Sequence, residues 1–270
     1  MNDASPARRP RDGRALLLGA LGALVLAAAP VVSAAAGPVV EPADATPAVV
    51  GGHDATEEYP FMVSLQQDGQ HFCGGSLIKP DWVVTAAHCA KGSDPALLTA
   101  RVGSADRTSG GTEAGITEIV VHPDYRPEEP GGDVALLHLD QKVPEAPISI
   151  AAEPGSPGDA TRILGWGYTC DDASCSSLPV QLQELDTELV PDDRCADIEA
   201  GTELCTDSPT EGAQGCNGDS GGPQLAGERG RWELIGATSR DGDTDPACGT
   251  GTGIWTDLTA HAAWIEQHAG

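Results

Sequence analysis

The 270-residue chain has few basic side chains: 15 Lys and Arg stand against 41 Asp and Glu, for a formal net charge of -26. Nucleic acid is bound through a basic footprint, so this balance argues against it as a partner. Long hydrophobic runs are scarce too. The one candidate, ALLLGALGALVLAAAP, follows an N-terminal stretch with four arginines and leads into small residues between Ala34 and Ala36. It is shorter than the ~20 residues a membrane span needs, and it reads as a secretory signal peptide over residues 1–36. Arg8 and Arg9 are adjacent but are not followed by a twin-arginine export motif, which leaves general secretion. The expected product is secreted and extracellular, with no membrane attachment once the signal is removed.

Metal-binding spacings are missing as well, since the chain has no C-x-x-C pair and no H-E-x-x-H. There is no repeat of fixed period and no helical periodicity before the C-terminus. What is there is β texture. After the Pro-rich GPVVEPADATPA, which reads as a short propeptide or linker over residues 37–48, come the short apolar runs PFMVSL, GGSLI, WVVTAA, ITEIVV, VALLHL, TRILGWG and WELIGAT. Gly, Pro, Asp and Asn clusters separate them, the pattern of an all-β sandwich or barrel. At the end, DLTAHAAWIEQHA sets Leu258, Ala262 and Ile265 on one face, with Asp257 or Thr259 as cap, predicting a helix over about 257–268. All eight cysteines lie between Cys73 and Cys248, and export makes four disulfides the default without fixing their connectivity.

Three segments carry chemistry-bearing residues. CNGDSGGP (Cys216 to Pro223) holds one hydroxyl and one carboxylate among glycines, a composition that also suits an ordinary turn. A serine hydroxyl becomes a useful nucleophile only beside a base that a third group orients. His88, in TAAHC after the apolar WVV, and Asp133, at the start of DVALLHL, supply those residue types. A carboxylate entering so apolar a strand is costly unless it is paired or hydrogen-bonded.

In order and spacing, VVGG (49 to 52), CGGSLI, TAAHC, DVALL, GWG and CNGDSGGP resemble the chymotrypsin-like or trypsin-like serine proteases, over Val49 to about His268. The resemblance implies two six-stranded antiparallel β-barrels with a C-terminal α-helix: barrel one at about 49–150 and barrel two at about 151–256, within a peptidase domain over 49–270. It implies Ser220 as nucleophile, His88 as general base and acid, Asp133 as orienter, and the N–H groups of Gly218 and Ser220 as oxyanion hole. It also implies an activation ion pair between Asp219 and a new amino terminus at Val49, released by cutting Ala48–Val49. Because residue 48 is alanine, the activating protease would accept small residues, and the enzyme itself is one candidate. The implied disulfides are Cys73–Cys89, Cys195–Cys205 and Cys216–Cys248, leaving Cys170 and Cys175 to close a small loop.

At the specificity pocket the resemblance places Gln214 at the base, Gly253 on the wall and Ser239 beside Asp133. A neutral Gln214 where trypsins carry Asp implies a broad or chymotrypsin-like preference at the cleaved residue, with the acidic insertion Asp243 to Asp245 keeping an Arg or Lys preference as an alternative. Arg240-Asp241-Gly242 departs from the family's usual Trp-Gly. No metal or organic cofactor is implied, and the segment from Arg101 to Ile119 offers no convincing calcium loop. The remaining histidines, His53, His71, His122, His138, His261 and His268, read as structural or solvated. Partners would be polypeptide substrates and protein protease inhibitors, with a monomer as the family expectation. A low lysine-to-arginine ratio with abundant Ala and Gly hints at a high-GC bacterial source.

Two rivals follow from the same residues. Gly218-Asp219-Ser220-Gly221-Gly222 also satisfies the G-x-S-x-G elbow of α/β-hydrolases, which requires a helix after the serine. A protease-shaped binding protein without activity is the other, although such relatives usually lose a triad residue or an oxyanion glycine.

Overall fold

The computed structural model describes residues 49–127, 129–170, 177–245 and 247–270. Thirteen strands are named among them. β2 (Met62–Gln67), β3 (Gln70–Lys79), β4 (Trp82–Thr85), β5 (Leu98–Val102), β6 (Thr112–Val121) and β7 (Ala135–Leu139) close into a barrel in the order β2-β3-β4-β7-β6-β5. The second barrel comprises β8 (Ala160–Gly165), β9 (Gln183–Leu189), β10 (Glu203–Asp207), β11 (Pro223–Glu228), β12 (Arg231–Asp241) and β13 (Gly253–Asp257), and a β8–β9 pairing closes it. Every named pairing is antiparallel. Closure removes the exposed edges through which β proteins aggregate.

The local sequence explains the elements. Between β2 and β3, Asp68 and Gly69 both take positive φ (52° and 73°), which fits the two-residue turn whose twist matches the flanking strands. One face of the first barrel's strands carries Val63, Leu65, Leu77, Val83 and Leu137, all essentially without exposure. In β9 the buried positions include the polar Gln183, Glu184 and Thr187. Burial of Glu184 is balanced by hydrogen bonds from Thr56, from Tyr59 Oη at 2.6 Å and from Arg162 at 3.1 Å. These donors hold its carboxyl below the ordinary range against the upward push of burial.

The two ends of the described region cross over. β1 (His53–Asp54) pairs with β9 of the second barrel, although it precedes the first barrel in sequence. The C-terminal helix α2 (Ala262–Ala269) sends Ile265 and Ala269 into the cluster that contains the first barrel's core. Its start differs from the sequence expectation: Asp257 stays in β13, held opposite Gly236, and its Oδ1 accepts from the N–H groups of Thr259 and Ala260. The carboxylate therefore organises the turn before the helix, which begins at Ala262. Among the described residues, no helix is long and apolar enough to cross a membrane.

Candidate active site

A cleft of about 590 Å³ is lined by residues of both barrels, including His88, Asp133, Gln214, Ser220, Ser239 and Gly253. His88 lies three residues beyond the end of β4, on the single helical turn α1 (Ala87–Ala90). Cys89 on the same turn is bonded to Cys73 of β3, which staples the turn to the barrel. Cys73, His88 and Cys89 cluster closely enough to suggest a metal, but the disulfide leaves neither sulfur as a thiolate ligand.

Asp133 is buried just before β7 and has the partners such a carboxylate requires. Its Oδ2 is 2.8 Å from His88 Nδ1 and accepts from Ser239 Oγ at 2.6 Å, and its Oδ1 accepts from the His88 backbone N–H at 2.9 Å. Burial pushes its acidity weaker, but the hydrogen bonds and charge interaction from His88, with that from Ser239, outweigh it and hold the carboxyl below its ordinary range. With Nδ1 facing a carboxylate, neutral His88 has Nε2 free as a base. Ser220 lines the same cleft; among the described residues no hydrogen bond joins its Oγ to His88, a contact often loose in free enzymes.

The segment around Ser220 is fixed by its backbone. The N–H groups of Asp219, Gly221 and Gly222 donate to Cys216 O, Thr238 O and Asp219 O, and Ser220 O accepts from Gly74 N at 2.8 Å. Among the described residues, the N–H groups of Gly218 and Ser220 donate to nothing. Gly218 has φ 104°, a value that side chains resist, so glycine lets this peptide turn as it does. The turn is thus rigid and still holds two unspent donors, the requirement for stabilising a developing oxyanion.

His71 belongs to this arrangement, although its sequence context singled out nothing. It is buried, with Nε2 3.0 Å from the Gly218 carbonyl and Nδ1 2.9 Å from Ser64 Oγ. The carbonyl can only accept, so Nε2 carries the proton and Nδ1 accepts from Ser64. Burial first, then the charge of Arg107, lowers its pKa to about 4 against the opposing bond to Gly218. The ring therefore stays neutral near pH 7.

Asp219 is fully buried, with Oδ1 accepting from Gly167 N at 2.7 Å and Oδ2 from Cys216 N at 2.9 Å. No cation pairs with it among the described residues, and burial pushes its pKa up to about 6 despite the two backbone bonds. Val49 is wholly buried in the second barrel's core and Val50 bridges to Gln214, which brings the start of the described chain beside this segment.

Gln214 is buried, its Oε1 accepting from Gly215 N at 3.0 Å. Arg240, where the family resemblance anticipates an aromatic residue, is held by a bidentate pair with the buried Glu203 at 2.5 and 2.7 Å. Glu203 also accepts from Gly131 N and Glu199 N, linking the strand that carries Ser239 to the loop before Asp133. Asp241 lines the cleft, its carboxyl raised by burial and by neighbouring Asp243. The Cys195–Cys205 and Cys216–Cys248 bridges are formed, whereas Cys175 of the Cys170–Cys175 pairing lies outside the described residues.

Residues 49–265 match the family model described as Trypsin. The chain belongs to the trypsin family. It is 38% identical to a trypsin of Saccharopolyspora erythraea over 71% of this chain and 86% of that one. It is also 36% identical to trypsin theta of Drosophila melanogaster over 80% and 84%. Among solved structures it is similar to neuropsin, a serine protease of mouse brain, with a TM-score of 0.72 at 25% identity over 82% of this chain and all of that one. As a trypsin-family member the chain is a serine endopeptidase. The relatives span an actinobacterium and insects, so the compositional hint of a bacterial source gains no support. The hydrolase-elbow alternative falls with the fold, because a strand, β11, follows Ser220 where that motif needs a helix.

Proposed function

We propose that this trypsin-family chain is a secreted endopeptidase, made as a precursor, that cleaves polypeptides through Ser220, His88 and Asp133. The observation that carries the reading is the carboxylate of Asp133 gripping His88 Nδ1 at 2.8 Å in the cleft that Ser220 lines. Ser220 Oγ attacks the scissile carbonyl as His88 takes its proton, and the imidazolium gains stability from Asp133. The N–H groups of Gly218 and Ser220 receive the oxyanion; losing one such donor typically costs on the order of a hundredfold or more in rate. His88 then protonates the leaving amine, and water resolves the acyl-enzyme. The signal over residues 1–36, the propeptide over 37–48 and activation at Ala48–Val49 complete this reading, with the Val49 ammonium supplying the charge that buried Asp219 lacks.

The floor of the pocket is Gln214, an uncharged carboxamide that selects no cationic side chain, so the preference at the cleaved residue is broad or chymotrypsin-like. Changing Gln214 to Asp is expected to raise cleavage after Arg and Lys; an unchanged cleavage profile would show that substrate side chains do not reach Gln214. The reading as a whole is tested by digesting a denatured protein mixture with the form beginning at Val49 and mapping the cut bonds by mass spectrometry against Ser220→Ala. Cuts confined to the Ser220 enzyme support it. A correctly processed enzyme that makes no cuts, and is not labelled by a fluorophosphonate probe, would be an inactive protease-shaped binding protein instead.

A further inference from the structure

The space that Gly253 leaves in the pocket wall is already filled. Gly253 and Trp255 lie two residues apart on β13, so their side-chain positions share a face, and Asp241 and Thr238 of β12 stand opposite them. All four line the cleft. A Cβ built on Gly253 would overlap the Cζ3–Cη2 edge of the Trp255 ring and come within 3.3 Å of the Gln214 carboxamide carbon. The indole edge therefore occupies the space beside Gly253 that its missing side chain leaves, next to Gln214. It has nowhere to retreat, because Trp255 is 1% exposed and packs in the core that includes Val49, Ile163, Leu204 and Ala213. Gln214 is equally committed, with Oε1 on Gly215 N and Nε2 3.5 Å from Gly251 O.

We propose that Trp255 sets the depth of the primary specificity pocket, so that the enzyme cleaves after short uncharged side chains such as Ala and Val. This rests on the protease reading above and closes the large-aromatic end of its specificity range. It also bears on the chain itself, since the residue before Val49 is Ala48. A mature copy would then process the precursor in trans. Ser220 Oγ bonds to the Ala48 carbonyl carbon, the Ala48–Val49 bond breaks, and Val49 leaves as an amine with the proton His88 took from Ser220. Water then releases the Ala48 carboxylate and restores the serine.

The test uses the mature enzyme on peptides that differ only in the residue before the scissile bond: Ala, Val, Leu, Phe and Arg. Excluding a few methylenes or a ring from a pocket is worth roughly 10- to 200-fold, so kcat/KM for Ala and Val is expected to exceed that for Phe and Arg by at least about tenfold. Trp255→Tyr, which keeps an aromatic wall of smaller size, is expected to shift the ratio toward Leu and Phe. In parallel, mature enzyme is added to Ser220→Ala precursor with Ala or Arg at residue 48, and only the Ala48 precursor is expected to be cut efficiently before Val49. A wild-type enzyme that prefers Phe or Arg, or that cuts the A48R precursor as fast as the parent, would overturn the proposal without recourse to a variant of Trp255. Failure of the wild-type enzyme to react with a fluorophosphonate would instead overturn the protease reading on which the proposal rests.

Discussion

His71 Nε2 donates to the carbonyl oxygen of Gly218 at 3.0 Å, from a ring that Ser64 holds on its other side. The hydrogen bond fixes the peptide plane that follows Gly218, next to the N–H group proposed to receive the oxyanion. Replacing His71 by Ala is expected to lower kcat by about tenfold or more with a smaller change in KM, since the lost support acts on the transition state. A loss confined to KM would show that His71 only shapes the cleft. His71→Asn, which retains a donor, is expected to recover part of kcat.

Asp219, paired with no cation among the described residues, makes the stability of the uncleaved chain depend on pH. Its pKa in the folded chain is pushed up to about 6 by burial, above the ordinary value near 4, so the folded state holds the proton more tightly than the unfolded state. The contribution therefore favours folding below about pH 4 and is lost as pH rises through about 6, by up to about 3 kcal/mol. Urea unfolding of Ser220→Ala precursor at pH 4 and pH 7, with and without Asp219→Asn, checks this. The Asn variant is expected to stabilise the precursor at pH 7 only. In the form beginning at Val49 the same change removes the proposed ion pair and is expected to destabilise.

Buried Glu203 and half-buried Arg240 form a bidentate pair at 2.5 and 2.7 Å. Arg240→Ala strands the Glu203 carboxylate with only two backbone donors and is expected to cost about 3 kcal/mol in denaturant unfolding. Because Arg240 adjoins Ser239, KM should rise as well. Arg240→Lys keeps the charge but loses the fork, so intermediate values are expected in both measurements.

The Cys216–Cys248 bridge joins the segment before Ser220 to another part of the cleft lining across 32 residues of sequence. Replacing both cysteines by Ser is expected to lower stability by about 2–4 kcal/mol. It should also flatten the discrimination among peptides differing at the cleaved residue, which the same substrate series would read.

All seven apolar β-branched runs read from the sequence became strands, namely β2, β3, β4, β6, β7, β8 and β12. β9, written Gln-Glu-Leu-Asp-Thr-Glu-Leu, was not legible, because its buried polar residues are sustained by donors from distant segments such as Thr56, Tyr59 and Arg162. The helical turn under His88 is too short to show any periodicity. Residues with a motif around them, such as Ser220 and Asp133, stood out in the sequence. His71 and Trp255 did not, because one acts through a backbone carbonyl 147 positions away and the other by filling a neighbour's absent side chain.

With β1 paired to the second barrel and α2 packed against β7 of the first, each end of the described peptidase region is clasped by the half it does not adjoin in sequence. The two barrels are therefore cross-strapped, and neither can melt far without releasing an end that belongs to the other. Trimming the final turn of α2 would loosen the barrel that carries His88, and detaching the segment after Val49 would loosen the barrel that carries Ser220. Both straps therefore oppose any hinge motion that would swing the two walls of the cleft apart.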